Sequence, residues 1–406
     1  MMFKFIGIIG LLVLLLVAFL VSNNRKKIDF KLVIKGAVLQ LVFALLILKT
    51  PIGLPFFNFF DSVIKKLLAF ADKGGDFLFA SFVSGQVESP IINFAVRVLP
   101  TIIFFSALMS LLYHLKVMQF IVNGLSKLMQ KLLGTSGSET LSVVGSIFVG
   151  QTEAPLLVKP YVKNMTKSEL MTVMVGGFAT VAGGVMAIYV KMLDTIPGIA
   201  GHLMAASIMS APAAIVISKI MFPETEDSES KEKVDMVASD TDSNVIEAIA
   251  DGAVDGLKLA ANIAAMLIAI VGMVALVDGL LSLVNTSMAE IFGFFFKPLA
   301  FIMGIPWSEA GAFGTLLGEK IALTELIAYK DLGVMLKNNE ISQRTAQIAS
   351  YALCGFANFA SIGIQIGGIS GIAPNKKKEV AKLAMKAMLG GALASWMTAC
   401  IAGILL

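Results

Sequence analysis

Charged residues are scarce in this 406-residue sequence: Asp, Glu, Lys and Arg together make up 15% of it, against about 25% in soluble domains. Cysteine and histidine are scarcer still, with two of each. Cys354 and Cys400 lie in apolar surroundings without disulfide or metal-ligand spacing, so we expect two buried, unpaired side chains. There is no nucleophile and base pair, metal-ligand pattern or phosphate-binding loop, and His114 and His202 lie outside the segments that carry intramembrane glutamates. These absences argue against an enzyme.

Apolar residues predominate in the sequence. They make up 57% of the chain, and the mean hydropathy is +0.85, which predicts a polytopic membrane protein whose main partner is the lipid bilayer. The net charge of +4 comes from Lys and Arg in loops, so it reports topology and does not indicate nucleic-acid binding.

Uncharged or nearly uncharged runs predict eight transmembrane helices. The first is followed by Arg25, Lys26 and Lys27, which places its C-terminal end in the cytoplasm and disfavours the alternative of a signal peptide. Phe-rich pieces at 51–88 and 291–301 predict helices that lie at the membrane interface. The predicted spans are 5–24, 32–48, 91–113, 170–190, 195–218, 259–280, 345–375 and 387–406.

Two further stretches carry carboxylates in apolar surroundings but are too short to cross a bilayer. Thirteen uncharged residues separate Glu139 from Glu153, and five separate Glu153 from the next lysine, whereas a span needs about 20. Residues 138–165 are therefore predicted to form a re-entrant hairpin that returns to the cytoplasmic face. A charge at mid-membrane costs about 2.5–3.5 kcal/mol, so Glu153 is expected to serve a partner, a substrate or an ion path. Residues 307–329, which include Glu325, are predicted to form a second hairpin.

The runs after the two hairpins share a signature. Residues 177–182 read Gly-Phe-Ala-Thr-Val-Ala and residues 355–360 read Gly-Phe-Ala-Asn-Phe-Ala, with four of six positions identical. Small and polar residues follow in both runs, at 183–184 and 361–368, and we expect the helices to unwind there. Three predicted spans separate the hairpins, so the hairpins open on opposite sides. Inverted repeats with broken helices are typical of secondary transporters.

Polar side chains near the hairpins and the second signature suit a neutral substrate rich in hydrogen-bond donors and acceptors. They are Gln151, Thr152, Glu153, Glu325, Asn358 and Ser361. No cluster of Arg or Lys accompanies them, which argues against an anionic substrate. Phe178, Phe356 and Phe359 either offer a stacking surface for a flat ring or pack in the core.

The glutamates also suit coupling to a proton or to sodium. Oxygen ligands of the kind that sodium prefers lie at the first hairpin and the first signature, either as hydroxyls or as backbone carbonyls. They belong to Ser146, Val149, Thr180 and Val181. In the alternative interpretation, the hydroxyls bond only to the preceding helical turn.

At these residues the chain resembles the concentrative nucleoside transporter family. The stretch Gly-Ser-Ile-Phe-Val-Gly-Gln-Thr-Glu-Ala-Pro-Leu-Leu-Val-Lys-Pro-Tyr at 145–161 is similar to the family's first-hairpin signature, and Gly-Phe-Ala-Asn-Phe-Ala-Ser-Ile-Gly at 355–363 to its broken-helix signature. The resemblance implies an all-α polytopic membrane protein with eight transmembrane helices, two opposed re-entrant hairpins, interfacial helices and an inverted repeat with broken helices. It also implies a homotrimer that works by an elevator mechanism.

The resemblance further implies roles for individual residues. Gln151, Thr152 and Glu153 match the group that reads the nucleobase, with Val185 and Phe356 beside it, and Glu325, Asn358 and Ser361 match the group that holds the ribose hydroxyls. The family's sodium site maps onto Ser146, the carbonyls of Val149 and Val181, and the hydroxyl of Thr180. Two positions depart from the pattern: Ser146 stands where sodium-coupled members usually carry Asn, which predicts a weaker ion site, and Thr324-Glu325-Leu326 replaces the usual Asn-Glu-Phe.

The sequence thus predicts cation-coupled symport of nucleosides such as uridine into the cell, with sodium as the coupling ion and no organic cofactor, at the inner membrane of a bacterium. A proton-coupled symporter, a channel and a membrane-embedded enzyme using Glu153 and Glu325 are the alternatives.

The predicted division of the chain has five parts. Residues 1–135 are mainly scaffold spans and interfacial helices, 136–222 the first inverted repeat, 223–243 an acidic, solvated cytoplasmic linker, 244–301 a long scaffold span and an interfacial piece, and 302–406 the second inverted repeat.

Overall fold

The computed structural model describes residues 2–50, 53, 55–65, 68, 99–230 and 244–406, and these residues form helices and loops without any strand. Residues 55–65 are helical. The α-helices are α1 Met2–Val21, α2 Phe30–Lys49, α3 Leu99–His114, α4 Val117–Leu133, α5 Gly137–Gly145, α6 Lys159–Val162, α7 Lys167–Ala179, α8 Gly183–Met192, α9 Ile199–Met221, α10 Val245–Leu281, α11 Met288–Ile302, α12 Ala310–Ala322, α13 Glu325–Lys337, α14 Gln343–Ala352, α15 Phe359–Ile372 and α16 Lys377–Leu405. Short 3-10 helices cover Arg25–Lys27, Ala154–Val158, Ser282–Val284 and Pro374–Lys376.

Within the described residues, each of the eight predicted spans overlaps a helix or a broken helix. Within the described ranges, four helical stretches are long and apolar enough to cross a membrane, and a fifth is added if the bent pair α3 and α4, with an angle of 74°, counts as one span. Residues 91–98 at the start of the third predicted span and 69–88 of the first interfacial piece lie outside the described residues. The four stretches are Phe30–Lys49, Lys167–Met192, Ile199–Met221 and Pro374–Leu405.

Both predicted hairpins are present as helix pairs. Hairpin 1 (137–162) starts with a capping box at Ser136 and consists of α5, a turn region at 146–153, a 3-10 helix and α6. Its arms approach closely, since a Cβ on Gly145 would lie 2.4 Å from Cδ1 of Leu157. Hairpin 2 (310–337) consists of α12 and α13 and is capped at its tip by Thr324, whose hydroxyl accepts from the Ile327 amide.

Two predicted boundaries are wrong because charged residues were taken as helix ends. The second arm of hairpin 2 runs to Lys337 and not to 329, and the last helix starts at Lys377 and not at 387. Lysines and glutamates are good helix formers and can project into water, so a helix continues beyond its uncharged stretch.

The predicted positions of unwinding are also wrong. The first broken helix, α7 and α8, is interrupted at 180–182, which we call the first break; the second, α14 and α15, is interrupted at 353–358, the second break. Both breaks overlap the repeated signature, whereas the glycines that follow it lie inside α8 and α15. Asn358 explains the difference in the second repeat: its side chain accepts from the Ser361 amide and starts a new helix there.

The second break packs directly on the end of α7, next to the first break. Gly355 has φ +95, and a Cβ there would lie 2.4 Å from the carbonyl oxygen of Phe178, so the second break passes against the end of α7 without space for a side chain. A Cβ on Gly177 would lie 2.7 Å from Nε2 of Gln365 and 3.1 Å from Cβ of Gln151. The tip of hairpin 1, the first break and the second broken helix therefore converge on one place.

The first residues of the acidic linker do not behave as a solvated segment. Ser228 and Ser230 are buried, and their hydroxyls donate to Oε1 of Glu169 at 2.6 and 2.9 Å. Glu169 lies in the first turn of α7, where the helix dipole favours a carboxylate. The prediction of a solvated linker is therefore wrong at Ser228 and Ser230, whereas 225–227 and Glu229 are exposed, and 231–243 lie outside the described residues.

Candidate substrate and cation site

One chain of hydrogen bonds joins four of the predicted substrate residues. Gln151 at the tip of hairpin 1 donates from Nε2 to Oγ of Ser361 at 3.1 Å. The Ser361 amide donates to Oδ1 of Asn358 at 2.8 Å, and Asn358 donates from Nδ2 to Oε2 of Glu325 in hairpin 2 at 2.8 Å. The fold thus brings both hairpins and the second break into a single polar cluster.

Glu325 is buried like the other members of this cluster, with 5% of its surface exposed. It lies in the first turn of α13, where a negative charge is favoured. Its second oxygen accepts from the Tyr189 hydroxyl at 2.7 Å, and the Tyr189 ring lies 4.3 Å from that of Tyr329. Both carboxylate oxygens thus have donors, and one of the donors comes from the first broken helix.

Tyr189 is a site residue that the sequence analysis missed. It is the only tyrosine in the predicted span 170–190, and a lone hydroxyl in an apolar span was the feature of the sequence that could have indicated a site residue. Its partner Glu325 lies 136 residues further along the chain, so the contact follows from the fold alone.

Gln151 has an unused acceptor that faces into the protein. The residue is 7% exposed, and its Oε1 has no hydrogen-bond partner within the part of the chain that the structure describes. A buried amide oxygen without a donor costs free energy, which a ligand N–H or O–H would recover.

The other residues of the hairpin tip are more open. The Thr152 hydroxyl donates to Oε1 of Glu153 at 2.9 Å, and the Glu153 side chain is exposed in the single chain. Thr152 also packs on the second broken helix, because a Cβ on Gly368 would lie 2.9 Å from its Cγ2. Val185 is buried in α8 close to the first break, and Phe356 is half-buried within the second break.

Of the two interpretations of the other aromatic candidates, a stacking surface is wrong for Phe178. It is fully buried in the core, and a Cβ on Gly391 would lie 2.3 Å from its Cβ. Phe359 is half-exposed. His202 is a buried core residue whose Nδ1 shares a hydrogen bond of 2.9 Å with the hydroxyl of Tyr351.

The predicted cation ligands lie where hairpin 1 meets the first break, a junction closed by the Gly183 amide donating to the Phe148 carbonyl at 3.0 Å. The hydroxyls of Ser146 and Thr180 donate to helical carbonyls, at 2.7 Å to Val143 and 2.9 Å to Gly176, as the alternative interpretation expected. Their oxygen lone pairs are still available to a cation.

The two predicted carbonyl ligands are without donors: no described residue hydrogen-bonds to the carbonyl of Val149 or of Val181. Unwound carbonyls of this kind hold sodium in transporters with broken helices. Together with the two hydroxyls they form a set of neutral oxygens suited to a monovalent cation.

Comparison with known proteins covers nearly the whole chain. The "Na+ dependent nucleoside transporter" family matches at residues 9–82 with its N-terminal and 202–403 with its C-terminal region, and a "Nucleoside recognition" (Gate) family matches at 95–196. The nucleoside permease NupC of Helicobacter pylori is 40% identical over 98% of this chain and 97% of its own length. The sodium/nucleoside cotransporter 1 of Mus musculus is 38% identical over 99% of this chain and 64% of its own length.

Solved structures agree with these relatives. CNTnw in an inward-facing substrate-bound state has a TM-score of 0.92 and 39% identity, covering 99% of this chain and 98% of that one. The predicted all-α membrane fold is confirmed, and the alternative of a membrane-embedded enzyme is wrong. The chain belongs to the concentrative nucleoside transporter family, whose activity is nucleoside cotransport.

Proposed function

We propose that this chain imports nucleosides such as uridine in symport with sodium. The observation that carries the proposal is the hydrogen-bonded cluster from Gln151 through Ser361 and Asn358 to Glu325, which joins both hairpins at the second break. A neutral molecule with donors and acceptors on both of its ends suits this cluster better than an ion does.

Within the cluster, the hairpin 1 tip reads the nucleobase and the Glu325 end holds the ribose. The unpaired Oε1 of Gln151 is an acceptor for a base N–H, and Thr152 and Glu153 lie next to it. Val185 and Phe356 supply apolar surface beside the base. At the other end, Glu325, Asn358 and Ser361 offer a carboxylate, an amide and a hydroxyl to the ribose hydroxyl groups, which donate well to a carboxylate.

Sodium binds where hairpin 1 meets the first break, to Ser146, Thr180 and the carbonyls of Val149 and Val181. The ion stabilises this junction, and the nucleoside then completes the cluster between the hairpins. An inward-moving cation adds about 2.3 kcal/mol of driving force for each 100 mV of membrane potential.

The loaded unit moves as an elevator. The two repeats, 136–222 and 302–406, form the moving transport part, and 1–135 and 244–301 form the scaffold. We propose a homotrimer in the inner membrane of a bacterium.

Uptake of radiolabelled nucleoside into proteoliposomes tests the proposal. We expect uridine to accumulate under an inward sodium gradient and not under a proton gradient alone. Glu325→Gln should abolish accumulation, whereas Glu340→Gln, which changes an exposed carboxylate in the loop after hairpin 2, should not. Uptake driven only by protons would refute sodium coupling, and the absence of uptake for every nucleoside would refute the substrate class.

A further inference from the structure

Lys320 is a buried lysine that the cluster described above does not include. It lies in α12, the first arm of hairpin 2, and its side chain is completely buried. Its Nζ donates to the carbonyls of Ala352 and Cys354 at 2.9 Å each and to Oγ of Ser395 at 2.8 Å. Hairpin 2 is thereby fastened to the second break and to α16.

The hydrogen bonds determine the charge of this lysine. The two carbonyls can only accept, and Ser395 uses its own proton to donate to the Ala392 carbonyl at 3.0 Å. Lys320 must therefore donate three times, and only the ammonium form has three N–H groups. The side chain is a cation with all of its donors used.

No carboxylate lies within 4.0 Å of this ammonium among the residues that the structure describes. Its charge is balanced in two ways: Glu325 attracts it from beyond that distance, and backbone groups attract it at short range. Ala352 is the last residue of α14, so its carbonyl is at the negative end of a helix dipole, and Cys354 lies in the unwound segment that follows. Helix ends and unwound carbonyls are the groups that hold coupling cations in broken-helix transporters.

The first break has a matching set of oxygens. There, hairpin 1 meets its own broken helix through two carbonyls without donors, Val149 and Val181, and through nearby hydroxyls. At the second break, a side-chain cation from hairpin 2 binds two carbonyls of the second broken helix and a hydroxyl of α16.

We propose that Lys320 is a tethered cation, which binds hairpin 2 to the second broken helix as a cation from solution binds hairpin 1 to the first break. This inference rests on the proposed function, because that function places the exchangeable cation at the first break. The second break then needs no ion from solution, and the protein exchanges cations only at the first. Lys320 is a positioning residue: it holds the break that carries Asn358, which in turn holds Glu325.

Two variants of purified protein test the tether. Lys320→Ala leaves space beside the three oxygens, whereas Lys320→Met fills it with an apolar chain of similar length. We expect methylammonium chloride to raise the unfolding temperature of Lys320→Ala, and not that of Lys320→Met or the wild type. Tetramethylammonium chloride, too large for the space, is the salt control. Equal responses of the two variants to methylammonium, or no response of either, would overturn the proposal.

Nucleoside binding tests the positioning role. We expect both variants to bind uridine at least about tenfold more weakly, the size of a lost charge-assisted contact, and methylammonium to restore binding to Lys320→Ala alone. Undiminished binding by both variants would refute positioning. If the wild type itself binds no nucleoside, the proposed function fails, while the unfolding temperatures still decide whether a cation is held here.

A second pair covers the case in which neither Lys320 variant folds. Ser395→Asp and Ser395→Asn have the same shape and differ in charge. An ammonium at 2.8 Å predicts that the Asp variant unfolds at the higher temperature at neutral pH. A higher unfolding temperature for the Asn variant would show that no cation is held there and would refute the tether.

Discussion

Replacing Gly355 with alanine probes the point where the second break touches the end of α7. The residue has φ +95, which costs a side-chain-bearing residue about 1–2 kcal/mol. The new Cβ would also lie 2.4 Å from the Phe178 carbonyl oxygen and 2.6 Å from the Ala179 carbonyl carbon, so the two backbones must separate, at an overpacking cost of about 1–3 kcal/mol. We therefore expect Gly355→Ala to destabilise the protein by about 2–5 kcal/mol.

Gly363→Ala is the matched control. Gly363 lies in α15, eight residues later, and a Cβ there meets no atom within 4 Å, so alanine should stabilise the helix by about 0.5–1 kcal/mol. The measurement is the midpoint of unfolding in detergent for both variants and for the wild type. Uridine affinity should fall only for Gly355→Ala, because its break carries Asn358. Equal midpoints for the two variants would refute the direct backbone contact between the second break and the end of α7.

Three further predictions concern single side chains. Ser146→Asn adds an amide oxygen at the first break and should lower the sodium concentration that half-saturates uridine binding by about tenfold. An unchanged sodium dependence would show that the ion does not bind at Ser146. Tyr189→Phe removes one donor from Glu325 and should alter uridine affinity by about 5- to 10-fold without unfolding the protein, as titration calorimetry would show. In the wild type, the Lys219 ammonium lies 2.7 Å from the Glu139 carboxylate. Lys219→Met leaves Glu139 as an unpaired buried charge and should lower the free energy of unfolding by about 3–5 kcal/mol. The double variant with Glu139→Gln should recover much of this loss. A double variant no more stable than the single one would contradict this reasoning.

The outline of the fold could be predicted because it depends on local composition. The scarcity of charge marks the spans, and the shortness of the runs around Glu153 and Glu325 marks the hairpins. The repeated signature at 177–182 and 355–360 marks the breaks themselves, although we expected the unwinding a few residues later. Helix ends were less predictable, since lysines and glutamates continue α13 and α16 beyond their uncharged stretches.

The contacts of the site could not be predicted because their partners are far apart in the sequence. Tyr189 and Glu325 are separated by 136 residues, and Lys320 and Ser395 by 75. A tyrosine or a lysine in an apolar stretch does not by itself indicate which carbonyl or carboxylate it will meet. The same limit applied to Ser228 and Ser230, whose acidic surroundings indicated a solvated linker.

The central claim is that one nucleoside lies between the hairpins with its ribose at Glu325. Titration of the wild type and of Glu325→Gln with uridine and with 2′,3′-dideoxyuridine tests it most directly. The wild type should prefer uridine by about 10- to 150-fold, the range for hydrogen bonds to a charged group, and Glu325→Gln should reduce this preference to a few-fold. A Glu325→Gln variant that keeps the full preference would contradict the account.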